Sequence, residues 1–475
     1  MALIRSRISL LGIVALAVVL ALVPDYAMAA GFDGSQLSVI WVIPFVCMLL
    51  SIALGPLLVP HFWHHHFGKV AAGWGFAFII PCAIVFGFSV AFEQLMHALV
   101  AEYLPFIILL FSLFTVAGGI RLKGALVGTP VVNTVLLLIG TVLASWMGTT
   151  GAAMLLIRPL LRANAHRKYR VHSVVFFIFL VANIGGSLTP LGDPPLFLGF
   201  LKGVPFFWTL THLFPHMLFA AIILLIVYFI VDSMLFAKEG KPLPMDCDEG
   251  PLLLEGKVNF LLLAGIVASV LMSGMWNPGT EIHIYGHVTY ALQNLARDLL
   301  LLAIAGISWK VTSRASREAN GFNWEPILEV GKLFFGIFLS MIPAIAILQA
   351  GSKGALASVI RLVSNPDGTP NDTMYFWLTG ILSSFLDNAP TYLVFFNTAG
   401  GDPVAMTGQF ASTLVAISAG AVFMGANTYI GNAPNFMVRS IAENQGVAMP
   451  SFFGYMMWSV GILIPTFILI NLFMI

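Results

Sequence analysis

The twelve residues Gly186-Ser187-Leu188-Thr189-Pro190-Leu191-Gly192-Asp193-Pro194-Pro195-Leu196-Phe197 recur as Gly425-Ala426-Asn427-Thr428-Tyr429-Ile430-Gly431-Asn432-Ala433-Pro434-Asn435-Phe436. Five of the twelve positions are identical at a fixed offset of 239. Each copy is rich in Gly, Pro and small polar side chains, yet each lies inside an apolar stretch long enough to cross a bilayer, about 171–203 and 407–445. Backbone of that kind is tolerated at membrane depth only where it is buried in protein or lines a watery cavity. Two membrane helices broken at matching points are therefore predicted. The same offset, without a gap, sets Ser145 on Ser384 and Trp146 on Phe385. It also sets the tip Met147-Gly148-Thr149-Thr150-Gly151 on Leu386-Asp387-Asn388-Ala389-Pro390. These tips divide the stretches 127–162 and 372–400 into apolar halves, which predicts two re-entrant hairpins. Lys123-Gly124-Ala125-Leu126 recurs as Lys353-Gly354-Ala355-Leu356 ahead of each hairpin.

Further spans are predicted at about 38–59, 70–91, 104–120, 206–233, 257–276, 297–310, 325–350 and 451–475. Asp, Glu, Lys and Arg make up only 9% of the chain against 59% apolar residues, whereas soluble domains run at roughly 25% charged. The fold class is thus an all-α polytopic membrane protein of about ten transmembrane helices, two re-entrant hairpins and two broken helices. With 22 basic and 21 acidic residues there is no surplus for binding nucleic acid. Cys47, Cys82 and Cys247 lie far apart, indicating neither a disulfide framework nor a zinc site.

Arg5 and Arg7, the apolar run from Ile8 to Val23 and the Ala27-Met28-Ala29 pattern read as a signal peptide over 1–29. A bacterial inner membrane and an external mature N-terminus follow. Three basic clusters should be cytoplasmic: Arg121 with Lys123; Arg162, His166, Arg167, Lys168 and Arg170; and Lys310, Arg314 and Arg317. Alternation of the spans meets that condition and gives the two halves, 30–235 and 257–475, opposite orientations around a cytoplasmic linker at 236–256. An inverted repeat with interrupted helices points to a secondary transporter whose site lies near the midplane.

The four interruptions offer helix ends and oxygen ligands: Thr149, Thr150, Ser187, Thr189, Asp193, Ser384, Asp387, Asn388, Asn427, Thr428 and Asn432. Asp193 and Asp387 are carboxylates at tips, and an ionisable residue there is a functional candidate by default. Asp193, ahead of Pro194-Pro195, also reads as a helix N-cap, and Asn432 would cap the matching half-helix. Asp387 is the firmer candidate, because turn propensity alone does not explain a charge at that depth. Glu93 near the end of the second span reads as interfacial. His61, His64, His65 and His66 read as a solvated cluster at a cytoplasmic turn. His212 and His216 form an i, i+4 pair with no third ligand in view.

Thr189-Pro190-Leu191-Gly192-Asp193, Asp387-Asn388-Ala389-Pro390 and Asn427-Thr428 resemble the ion transporter superfamily, over about 38–475. Its members include NhaD-type sodium/proton antiporters, arsenite permeases, citrate carriers and dicarboxylate/sodium symporters. The resemblance implies a scaffold made of the first three spans of each half, and a transport domain of hairpins and broken helices that moves as an elevator. The closest likeness is to the NhaD-type or citrate-carrier branch. Ala426-Asn427-Thr428 and Gly148-Thr149-Thr150 lack the Ser of the dicarboxylate signature, whereas the antiporter pattern carries Asp at both Asp193 and Asp387.

Sodium/proton antiport is the leading expectation. Asp387 and Asp193 would form the Na⁺ shell with Asn388, Asn427, Thr428 and Thr189, binding H⁺ and Na⁺ by turns as cargo rather than as a cofactor. The alternative is a carrier for citrate or another carboxylate coupled to a cation. A channel fits less well, since two chemically different tips at one depth favour alternating access. An intramembrane aspartyl protease is the remote alternative, and no enzyme is expected, since Pro190-Leu191-Gly192-Asp193 lacks the Gly-x-Gly-Asp of that class. The expected partners are membrane lipid and small ions or carboxylates, and a homodimer is compatible with such a chain.

Overall fold

The computed structural model describes residues 32–124, 126–242, 250 and 252–475, so the signal-peptide reading over 1–29 and Cys247 lie outside the described residues. The chain is nearly all helical, and nine described helices are long and apolar enough to cross a membrane. In the first half, α1 (Ile43–Leu58), α2 (Pro60–Phe86), α3 (Phe88–His97) and α4 (Leu104–Ala117) precede a short strand β1 (Arg121–Lys123). Hairpin one is α5 (Pro130–Met147) and α6 (Thr149–Ala163). The first broken helix is α7 (Val171–Leu180) and α8 (Pro194–Leu201), and α9 (Trp208–Lys238) closes the half. The second half runs from β2 (Leu253–Glu255) through α10 (Val258–Met275), β3 (Glu281–Tyr285), β4 (Val288–Ala291), α11 (Leu292–Val311), α12 (Arg314–Ala319) and α13 (Glu325–Gln349). After α14 (Ala357–Leu362), hairpin two is α15 (Asp372–Phe385) and α16 (Asn388–Thr398). A short α17 (Pro403–Thr407) then leads to the second broken helix, α18 (Ala411–Met424) and α19 (Ala433–Asn444). The chain ends with α20 (Phe452–Trp458) and α21 (Ile464–Met474).

Both hairpins double back where their tips were expected. Gly148 turns the first at φ +80°, a conformation that suits a residue without Cβ, and Gly128 N–H donates to the Ala163 carbonyl at 2.8 Å to close its base. In the second, the rings of Tyr375 and Phe395 meet edge to face, centroids 6.2 Å apart, across the limbs. The broken helices form the centre. Val171–Leu188 is almost wholly buried, whereas most of Pro60–Phe86 is not, an apolar surface suited to lipid. The three basic clusters gather at one end of the bundle, where Arg162 Nη2 donates to the Leu122 carbonyl and Asn320 Nδ2 to that of Ile120. Cysteines placed at His166 and Ser316 in a cysteine-free background should therefore both resist an impermeant thiol reagent added outside intact cells. Labelling of either would overturn the orientation.

Local boundaries differ from expectation for identifiable reasons. Helix α2 begins at Pro60, so the four histidines occupy its first turns instead of a turn of their own, with His65 Nδ1 2.9 Å from the His61 carbonyl. The break comes at Gly87, φ +92°, which moves Glu93 into the next helix. There its carboxylate accepts from His287 N–H at 3.0 Å and holds the β3–β4 turn. The linker is not wholly solvated loop, since Leu253–Glu255 pairs antiparallel with Arg121–Lys123. Neither two-stranded ribbon carries a periodicity long enough to stand out in so apolar a sequence.

Candidate functional site

The four interruptions converge on one carboxylate. Asp193 is fully buried, and its Oδ1 accepts from Thr149 Oγ1 at 3.1 Å and from Asn432 Nδ2 at 3.0 Å, while Oδ2 accepts from Asn388 Nδ2 at 2.5 Å. Thr149 heads the second limb of hairpin one, Asn388 that of hairpin two, and Asn432 precedes α19. Thr149 and Asn388 are themselves related by the offset of 239, as are Asp193 and Asn432. Equivalent positions of the two halves thus meet around Asp193 with different side chains: Thr149 answers to Asn388, and the first half supplies a carboxylate where the second supplies its amide.

The surrounding backbone repeats the symmetry in its hydrogen bonds. Thr189 Oγ1 donates to the Ser145 carbonyl and Thr428 Oγ1 to the Ser384 carbonyl, which pins each broken helix to the adjoining hairpin. Each hydroxyl then accepts from a backbone N–H two residues on, Leu191 and Ile430, both at 3.2 Å. Ser145 Oγ reaches the Gly185 carbonyl at 2.5 Å, and Ser384 Oγ reaches that of Met424 at 3.1 Å. Glycine is required where the two strands of each break touch. A Cβ on Gly192 would lie 2.1 Å from the Gly186 carbonyl oxygen, and one on Gly431 2.6 Å from that of Gly425. Gly192→Ala should cost about 3 kcal/mol and markedly lower the yield of monodisperse protein in detergent. An unchanged melting temperature would contradict the close approach.

The remaining predicted residues divide. Asn427 Nδ2 donates to Ser384 Oγ at 2.9 Å, and Ser187 Oγ only closes its own turn on the Ile184 carbonyl at 2.8 Å. Thr150 is half-buried in the first turn of α6 and is not among the partners of Asp193. Asp387 is half-buried, and its Oδ1 accepts from Ala389 N–H at 3.1 Å, the bond of an N-cap. Asp193 and Asn432, which the sequence suggested as caps, make no side-chain cap bond. The capping reading therefore fits Asp387 and not Asp193. The amide oxygens of Asn388 and Asn427 are buried and without a hydrogen-bond partner among the described residues. Orphaned acceptors of this kind suit a cation or water.

Asn183 was not foreseen. It lies in the first break, donates to the Ile178 carbonyl at 2.8 Å and to Asn435 Oδ1 at 2.7 Å, and accepts from Asn432 at 3.3 Å. Its counterpart at the fixed offset is Val422, so comparison of the repeats passes over it. The His212–His216 pair gains no third ligand, since His216 Nε2 meets the Met474 carbonyl at 3.1 Å. No group of three His, Cys, Asp or Glu able to hold a metal occurs among the described residues.

Helices interrupted at matching points around a buried polar centre, in a chain otherwise built of membrane spans, define a membrane transporter. A model of the family described as "Putative citrate transport" matches residues 34–475. The chain belongs to that family. It is also 24% identical over 340 residues to an uncharacterized transporter of Mycobacterium bovis, covering 67% of this chain and 71% of that one. The same identity and coverage hold for an uncharacterized transporter of Mycobacterium tuberculosis. Family and relatives are transporters, not enzymes.

Proposed function

We propose that the chain exchanges Na⁺ for H⁺ across a bacterial inner membrane by an elevator-type movement, with Asp193 as the group both ions compete for. The observation that carries this reading is the single carboxylate ringed by three neutral donors, Thr149, Asn388 and Asn432, one from each of the other interruptions. Neutral donors stabilise the ionised carboxylate when the site is empty. A proton or a cation can then take their place without leaving a bare charge. The free amide oxygens of Asn388 and Asn427 would complete a hard-cation shell. Transport of citrate or another carboxylate coupled to a cation is the second reading, favoured by the family description. There, the N-terminal ends of α8 and α19 would face the anion.

The decisive experiment uses purified full-length protein in liposomes containing a pH dye. An internal pH change on adding Na⁺ or Li⁺ with no carboxylate present supports exchange. Citrate uptake driven by a Na⁺ gradient, with no ion-induced pH change in its absence, moves the conclusion to the second reading. Asp387→Asn should retain about half of the wild-type rate, because Asn serves nearly as well as an N-cap. Complete loss in that variant would restore Asp387 to the ion shell as an essential member.

A further inference from the structure

At the foot of hairpin one, Arg158 joins Arg162 of the basic run, and orientation alone does not account for how the two guanidiniums are placed. Arg158 and Arg162 lie one turn apart on α6, where like charges repel. Arg158 Nη1 and Arg162 Nε are buried and have no hydrogen-bond partner among the described residues. Among the described residues, neither arginine is in an ion pair. At this end of the molecule Glu255 is already engaged by Ser316 Oγ at 3.0 Å and Arg121 Nη1 at 3.1 Å, and Asp232 and Glu239 by Arg167. The contacts to Glu255, the Ser316 bond first, hold its carboxyl below the ordinary range. Both side chains are half-buried, and a guanidinium nitrogen shut from solvent without an acceptor is costly, so a partner for Arg158 and Arg162 is to be expected.

The surroundings are shaped around these side chains. A Cβ on Gly321, whose φ is +64°, would lie 2.2 Å from Arg158 Nη2, so the guanidinium packs directly against that turn. Asn320 Nδ2 donates to the carbonyls of Gly118 and Ile120 at 3.3 and 3.0 Å, fixing the turns 118–123 and 320–322 together. Arg162 Nη2 reaches the first of these turns at the Leu122 carbonyl, 2.9 Å away. The other half of the molecule manages without such charges. At the fixed offset, Arg158 corresponds to Asn397 and Arg162 to Gly401. Asn397 is satisfied on both sides, its Oδ1 accepting from Gln349 Nε2 at 2.8 Å and its Nδ2 donating to the Leu393 carbonyl at 2.7 Å. The hairpin architecture therefore does not require cations here.

We propose that Arg158 and Arg162 form an oxyanion-binding site, for a carboxylate or phosphate group, between hairpin one and the turns 118–123 and 320–322. Two planar forks can each grip an oxyanion bidentately, which lysine cannot do. The site is separate from Asp193, since Arg158 lies about 14 Å along α6 from Thr149 at 1.5 Å per residue. Its occupant is either a soluble anion on that side of the membrane or the headgroup of an anionic lipid.

The test is binding, read by thermal stability of the full-length protein, and it does not depend on ion exchange. Inorganic phosphate and citrate are titrated in detergent at constant ionic strength, and nanodiscs of phosphatidylglycerol are compared with nanodiscs of phosphatidylcholine. Saturable stabilisation is expected from at least one of these, weakened about tenfold or more in Arg158→Gln and in Arg162→Gln. Arg158→Lys should keep part of the response. Arg314→Gln should keep all of it, since that guanidinium is exposed and paired with Glu318 at 2.7 Å. A response to phosphate or citrate assigns a soluble anion, and a response confined to phosphatidylglycerol assigns a lipid headgroup. Equal responses in wild type and both Gln variants overturn the site, as does no response to any probe. Should Arg158→Gln not fold, Arg162→Gln carries the comparison.

Discussion

Asp193→Asn is expected to reduce ion exchange in proteoliposomes by about 100-fold or more while leaving a folded protein. The side chain makes no cap bond to α8, so the substitution removes nothing the helix end depends on. What changes is that an amide cannot take up and release a proton in the working range. The new amide also places N–H groups among three existing donors. Asn388 can absorb this by rotating its amide, because its Oδ1 has no partner to lose among the described residues. Asp193→Ala differs in kind, since Thr149 and Asn388 would lose their acceptor, at about 1 to 3 kcal/mol for each buried donor left unpaired, while Asn432 would keep the Ala182 carbonyl and Asn183 Oδ1. Melting in detergent should therefore separate the variants, with Asn close to wild type and Ala well below it. Wild-type exchange across pH 6 to 9 in Asp193→Asn would remove this carboxylate from the transport cycle.

Much of the architecture is legible because the repeat is read at a constant offset. A gap-free match places Gly192 on Gly431 and Thr189 on Thr428, and these are the residues whose contacts recur in three dimensions. The roles of the two aspartates are not legible in the same way. Asp-Pro-Pro and Asp-Asn-Ala both satisfy the local rules for a helix start. What separates them are partners 44, 195 and 239 residues away for Asp193, against one N–H two residues away for Asp387. Local propensity carries no information about such distant donors. Asn183 and Arg158 escape for the opposite reason: their counterparts Val422 and Asn397 differ in chemistry, so a search for likeness between halves discards them. Departures from the repeat, at Asp193 against Asn432 as at Arg158 against Asn397, are where the two halves stop sharing one job.

Asp232→Ala should be among the most destabilising single substitutions in the chain. Asp232 and Arg167 are buried with side-chain exposures of 0% each, and Arg167 Nη1 lies 2.6 Å from Asp232 Oδ1. The same oxygen meets His172 Nε2 at 2.8 Å, while Oδ2 accepts from Asn133 Nδ2 at 3.0 Å and Tyr228 O–H at 3.2 Å. One carboxylate thus ties α9 to α5, to α7 and to the segment after α6. Its removal leaves the buried Arg167 guanidinium with only the longer contact to Glu239, 3.8 Å away, as counter-charge, a loss of about 3 kcal/mol. The pair itself need not stabilise the fold to that extent, since much of the cost is that of stranding Arg167. A double-mutant cycle distinguishes the two contributions. Asp232→Asn keeps an oxygen for His172 or Tyr228 but leaves the arginine only Glu239, at 3.8 Å, as counter-charge, so it should melt well below wild type. Arg167→Met added to Asp232→Asn removes the stranded charge and fills its space with an apolar chain, and should recover a good part of the loss. If the two substitutions were simply additive in melting temperature, charge pairing would not be what holds this end of hairpin one against α9.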